Sequence, residues 1–248
     1  MYQKERIDKI TDILKVYGYV TVKFLTKELD YSTATVNRDL NLMEKQKLVK
    51  RSYGGVELIE RKDVPLPFRY SFMKSTKNKM GIAAAAFVRD GDKVFIDGST
   101  TGEYLGRHLI EKKNITVITN NMALAIFLSE HAVEVICLGG RVVEKPYMLD
   151  GDTTVENAVK YNADICFFST AGITSRGIIG DSDLYKLLHS AMLKNSRKKY
   201  FMADHKKINI ATPYNLVDLN EVDGIITDYV FEDEVKALYK NTDFIEVG

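Results

Sequence analysis

Apolar side chains recur at helical spacing over the first fifty residues, and beyond about residue 75 they gather into short continuous runs. Ile7, Ile10, Leu14 and Tyr17 predict a helix that Gly18 stops. A brief Tyr-Val-Thr-Val leads into a second helix, whose Val22, Leu25 and Leu29 share a face. Asp30 and Tyr31 make a tight turn, and Ser32 is placed to cap a third helix with Val36, Leu40 and Met43 as its buried stripe. Two β-prone runs then flank Gly54 and Gly55 and predict a hairpin. Helix, helix, turn, helix and a two-stranded wing over residues 1–60 are the parts of a winged helix-turn-helix.

The segment 61–74 is polar, charged and holds Pro65 and Pro67, so it is expected to be a linker. From 75 to 248 the pattern alternates. Strand-like runs recur at Lys93–Asp97, Asn114–Asn120, Val133–Gly140, Ala163–Ser169, Lys198–Asp204 and Asp223–Asp228, with helix-like segments between most of them. Such alternation predicts an α/β domain with a mainly parallel sheet covered on both faces.

Charge separates the two regions. Residues 1–62 carry 13 Lys and Arg against 9 Asp and Glu, a net of +4, and the remainder carries 22 against 25, a net of −3. A basic head on a mildly acidic body is compatible with a nucleic-acid partner for the head. No run is long enough for a membrane span and the N-terminus lacks an apolar signal core, so a cytoplasmic protein is expected. Cys137 and Cys166 lie in apolar runs without metal-ligand spacing and are expected to be buried free thiols.

With the apolar stripe of the third helix turned inward, Thr33, Asn37 and Asn41 form one outer stripe, and Ser32, Thr35 and Arg38 flank it. Hydroxyls suit phosphates, Asn suits adenine edges and Arg suits guanine edges or phosphates. The wing adds Lys50, Arg51 and Tyr53 for backbone contacts. Asp39 is acidic beside this face and is expected to serve structure, as a cap or in an ion pair. In the body, most polar candidates follow directly on strand runs, where ligands of open α/β sheets bind. Gly98, Ser99, Thr100 and Thr101 offer amides and hydroxyls to a phosphate. Lys207 and Arg141 could add positive charge, and Asp97, Asn120, Asn121 and Asp204 could bind sugar hydroxyls. Each also has a plain structural reading: a capped helix start, turn and cap asparagines, a tight strand exit at Gly139 and Gly140, a solvated lysine. Of the four histidines, His108, His131 and His189 are expected at the surface and His205 near the pocket.

The stretch from Ser32 to Leu58 resembles the signature of the DeoR family of bacterial transcriptional regulators, through Ser32, Thr35, Arg38, Asp39, Leu40, Glu44, Leu48, Arg51, Gly54 and Gly55. Asn37 stands where that family usually has the first Arg of a pair. The resemblance continues through Asp97–Thr101, Thr119–Asn121, the Leu-Gly-Gly-Arg run ending at Arg141, Gly172, Ile226–Asp228, and Asp204 with Lys207. Ile208 and Asn209 replace the family's Phe and Gly. The resemblance implies a sensor domain similar in fold to ribose-5-phosphate isomerase and the glucosamine-phosphate deaminases. It also implies a repressor of a sugar-utilisation operon whose operator binding responds to a phosphorylated sugar, with no cofactor. Operator DNA and a second copy of the chain, in a dimer or tetramer, are the expected partners. The competing reading is a sugar-phosphate isomerase or deaminase with an accessory head. Against it, Asp164 precedes its strand run and no acidic pair follows it.

Overall fold

The computed structural model describes residues 3–17, 19–52, 55–59, 73–144, 148–175, 177–180, 183–210 and 214–248. Contacts divide the chain into two units, Met1–Phe72 and Met73–Gly248. The linker expected at 61–74 lies, up to residue 72, outside the described residues, and so do Pro65 and Pro67.

In the first unit, α1 (Gln3–Tyr17), α2 (Val22–Leu29) and α3 (Thr33–Lys45) surround a core built from Ile10, Leu14, Leu25, Val36, Leu40 and Met43. Thr21 caps α2 by accepting from the amide of Phe24 at 3.1 Å, and Ser32 caps α3 by accepting from Thr35 at 3.2 Å. Asp30 takes a left-handed φ of 55° between them, a conformation that Asp tolerates because its short side chain bonds locally. The hairpin pairs β2 (Val49–Ser52) with β3 (Gly55–Leu58), antiparallel, Ser52 opposite Gly55. The Tyr-Val-Thr run is itself a strand, β1 (Tyr19–Thr21), which makes a three-stranded sheet in the order β1-β3-β2.

The second unit is built on a seven-stranded sheet. Its strands are β4 (Lys93–Ile96), β5 (Thr116–Thr119), β6 (Glu134–Cys137), β9 (Ala163–Phe168), β12 (Ser196–Ala203), β14 (Gly224–Thr227) and β15 (Asp243–Glu246). Their order is β15-β14-β12-β9-β4-β5-β6, and every pairing is parallel. Neighbouring residues of a strand serve opposite layers: Val94 and Ile96 join one core cluster and Phe95 the other. The first layer contains α4 (Lys74–Ala85), α5 (Thr100–Gly106) and α6 (Met122–Glu130). The second contains α7 (Asp152–Val159) and α8 (Asp183–Lys194). A hairpin, β7 (Arg141–Glu144) with β8 (Met148–Asp150), follows β6. A small antiparallel sheet joins β10 (Gly172–Thr174), β11 (Gly177–Gly180) and β13 (Tyr214–Val217). A short helix, α9 (Asp233–Leu238), precedes β15.

The strand order reverses between β4 and β9. From β4 the chain proceeds outward to β5 and β6, then returns to lay β9, β12, β14 and β15 on the other side. A crevice opens at such a reversal, beyond the carboxyl ends of the two strands, because the connections leave in opposite directions. Asp97 follows β4 there and Ser169 follows β9. Among the described residues, no helix is long and apolar enough to cross a membrane.

Candidate DNA-reading face and candidate ligand pocket

On α3 the inner stripe is fully committed, with Val36, Leu40 and Met43 each at most 1% exposed. Thr33, Arg38 and Asn41 are exposed, and Thr35 and Asn37 are half-buried. The Ser32 hydroxyl lies 3.0 Å from that of Thr35, so these two first serve the helix start. Asp39 is 1% exposed and has the structural role expected of it. It receives Arg6 Nε at 2.7 Å, a second Arg6 nitrogen at 3.1 Å and Gln3 Nε2 at 3.0 Å, which ties α3 to α1. Contact with Asp39 raises the Arg6 guanidinium above its ordinary value. Lys50 is exposed, and Tyr53 lies outside the described residues. Arg51 does not stand free on the wing: its two terminal nitrogens donate to Asn37 Oδ1 and Asn41 Oδ1, both at 2.6 Å.

The candidates of the second unit follow on strand ends of the main sheet, with Asp97 and Ser169 meeting at the reversal. Asp97, 2% exposed, accepts from the Ser99 amide at 3.2 Å, the Ser99 hydroxyl at 2.5 Å, the Ser169 amide at 2.9 Å and His189 Nε2 at 3.1 Å. Four donors occupy the lone pairs of one carboxylate, so Asp97 pins the β4 loop to the β9 loop across the reversal. Ser99 caps α5 through the Gly102 amide at 2.9 Å. Thr100 Oγ1 takes a hydrogen bond from Lys77 Nζ at 3.0 Å, with both residues buried; Gly98 and Thr101 are buried beside them.

Thr119 and Asn121 serve the turn after β5: Thr119 Oγ1 accepts from the Asn121 amide at 3.0 Å, and Asn121 Oδ1 caps α6 through Leu124 at 2.9 Å. Asn120 donates to the Leu149 carbonyl at 2.8 Å and so holds β8. Gly139 and Gly140 have φ of 72° and 115°, and a side chain at Gly140 would collide with Thr154. They form the exit from β6, while Arg141 is exposed and paired in register with Asp150. Asp204 is fully buried and accepts from the Lys206 amide at 3.0 Å; Lys207 Nζ donates to the Ser169 hydroxyl. Asn209 takes a φ of 60°, which keeps in this turn the conformation a glycine would give.

Two expectations require correction. His189 is not a surface residue: it is 9% exposed, because it lies on the inward stripe of α8 with Leu188, Met192 and Leu193. Cys137 is exposed, because β6 is the edge of the sheet, whereas Cys166 in β9 is buried and burial pushes its thiol pKa up. His205 donates to or accepts from Asp228 at 2.6 Å, next to the buried Asp204. Lys77, Ser169, Thr170 and His189 are further candidates that the sequence reading does not single out.

Four buried polar atoms at this crevice have no protein hydrogen-bond partner: Asn120 Oδ1, Asp150 Oδ2, Thr170 Oγ1 and His189 Nδ1. Asn120 Oδ1 is an acceptor, because the amide nitrogen of that side chain serves the Leu149 carbonyl, and Thr170 Oγ1 can donate or accept. Asp150 is fully buried, and desolvation raises its carboxyl pKa; the Gly151 amide, His189 and Arg141 oppose this. A carboxyl pKa raised by folding favours the folded state at acid pH, and that contribution is lost as pH rises through the folded-state value. Asp150→Asn is therefore expected to melt a few degrees above the wild type at pH 7, with the gap closing toward pH 4. Calorimetry at both pH values checks it; a variant less stable at pH 7 would refute the sign.

Comparison with known proteins finds two matching family models. The DeoR-like helix-turn-helix domain matches residues 6–62, and the DeoR C terminal sensor domain matches residues 73–229. The HTH-type transcriptional repressor GlcR of Bacillus subtilis (strain 168) is 32% identical over 231 residues, 92% of this chain and 89% of the relative. The lactose phosphotransferase system repressor of Lactococcus lactis subsp. lactis is 32% identical over 235 residues, 92% of each. A solved ribose 5-phosphate isomerase A from Methanocaldococcus jannaschii aligns at 13% identity and a TM-score of 0.41; the alignment covers 55% of each chain, so this chain spans about half of that structure's length.

Proposed function

The chain belongs to the DeoR family, as a DNA-binding transcriptional regulator and not an enzyme, and from that membership we propose that it represses a sugar-utilisation operon under the control of a phosphorylated sugar. The relatives described above, named as a transcriptional repressor and as the repressor of a sugar phosphotransferase system, support the repressor part. The observation that carries the effector part is the set of buried, unpartnered polar atoms at the β4/β9 reversal. Sugar hydroxyls, which both donate and accept, suit such a set, and a buried polar atom left unpaired costs about 1–3 kcal/mol that a ligand would recover.

In this reading Asn120, Asp150, Thr170 and His189 hold the hydroxyls. Lys207 supplies charge for the phosphate, and Gly98–Thr101, Gly139, Gly140 and Arg141 form the surrounding rim. Asp97, Thr119, Asn121 and Asp204 keep the loops in place and no cofactor takes part. Segment 61–74 links a DNA-reading head to this sensor, the chain acts in the cytoplasm, and it binds operators as a homodimer or homotetramer, since helix-turn-helix readers meet two half-sites by two-fold symmetry. An effector changes operator affinity only by binding the two conformations unequally.

A thermal-shift screen of the full chain against sugar phosphates, followed by fluorescence anisotropy on duplex DNA with and without each hit, tests the reading. One sugar phosphate should both raise the melting temperature and change DNA affinity; no response to any of them would refute the effector assignment. Lys207→Met is expected to weaken that ligand roughly ten- to a hundred-fold, the worth of one charge-assisted contact, with DNA affinity in its absence unchanged. An undiminished response would remove Lys207 from the site.

A further inference from the structure

Arg51 sits on the wing, where a basic side chain ordinarily meets a phosphate. Its guanidinium is instead shared between two side chains of the recognition helix, with Asn37 Oδ1 and Asn41 Oδ1 each at 2.6 Å. A guanidinium has donors only, so the carboxamide atom facing it must in each case be the oxygen; the orientation of both amides follows from the chemistry. Asn37 and Asn41 are four residues apart on α3 and therefore on one face, the face expected to enter the groove. We propose that Arg51 is a positioning residue for base readout: its fork fixes both carboxamides with oxygen toward the wing and NH2 toward the DNA, and sequence preference depends on that fixed pair.

The physical gain is pre-organisation. A free Asn side chain can present its donor or its acceptor to a base edge, and so can read different bases in different rotamers. Bonded to Arg51, each oxygen retains one lone pair beside the NH2, so the pair still matches the acceptor and donor of an adenine but only in one sense. Two carboxamides locked by one planar fork turn independent contacts into a unit read in register. The arrangement needs a hydrogen-bond acceptor at position 37, which an arginine would not supply.

The proposal rests on α3 being the DNA-reading helix, and its test separates the two claims. Random 30-base-pair duplexes are selected with the full-length wild type, and the best enriched duplex is compared with a scrambled duplex of equal composition by anisotropy over a range of salt. Arg51→Ala is expected to lower the ratio of the two affinities by roughly ten-fold or more, with the salt slope of the scrambled duplex unchanged. Arg51→Lys keeps the charge but not the two-pronged fork, and should not restore the ratio. In an Asn37→Ala/Asn41→Ala background, Arg51→Ala should have little further effect, because its route to the DNA is gone. A uniform loss on both duplexes, with the slope reduced by about 0.9 and rescue by lysine, would make Arg51 a phosphate contact and overturn the proposal. Failure of the wild type to enrich any duplex would overturn sequence reading by α3, and the clamp with it.

Discussion

Asp97→Ala is expected to lower the melting temperature of the second unit by roughly 10 °C, the equivalent of about 3–5 kcal/mol for a unit of this size. The carboxylate takes four hydrogen bonds, and its removal leaves the Ser169 amide and His189 Nε2 without their acceptor inside the protein. Neither group has water to turn to, since Ser169 is 6% and His189 9% exposed. Asp97→Asn keeps the shape and places an NH2 against one of these donors, so it should recover only part of the loss. Differential scanning calorimetry of the full chain decides the matter. A shift under 2 °C would mean that Asp97 does not hold the two loops together.

The second large effect lies in the head. With Asp39 replaced by alanine, Arg6 loses the partner of its Nε and of a second nitrogen, Gln3 loses its acceptor, and α1 loses its polar tie to α3. Arg6, 13% exposed, keeps its place over the Tyr31 ring but loses the carboxylate that fixes its guanidinium between the helices. Asp39→Ala is therefore expected to raise hydrogen exchange across residues 3–59 and to weaken binding to any selected duplex about ten-fold or more, although Asp39 faces no base. Exchange as slow as in the wild type, with DNA binding intact, would show that the helices hold together without the pair.

The architecture was legible because the chain repeats its signals. Period-3.6 stripes, a Ser cap and a hairpin predict the head, and six of the seven main-sheet strands carry unbroken apolar runs. The seventh, β15, was missed because Asp243–Glu246 brackets two apolar residues with acids, as a half-buried edge strand allows. Resemblance supplied the loops that meet at the crevice, while the polar residues deepest in it escaped notice for one physical reason. Lys77 shares a helical stripe with Met80, Gly81, Ala84 and Ala85, and His189 shares one with Leu188 and Met192. A polar residue on an apolar stripe is a signal that the sequence carries, although the surface expectation for His189 runs against it. The burial of Asp150 carries no such signal, since it depends on a hairpin held to the sheet by Asn120, which only the folded chain reveals.

The reversal between β4 and β9 also sets an order of events during synthesis. Residues 73–137 can form β4, β5 and β6 with their helices as soon as they leave the ribosome, because each contact spans little sequence. Until β9 arrives, β4 is an open edge with apolar side chains on both faces, and the bond that closes it, from Ser169 to Asp97, joins residues 72 apart. A nascent chain in that interval carries a half-built sheet, and β4 is the edge that the finished fold will bury but that then lies open to aggregation or to a chaperone.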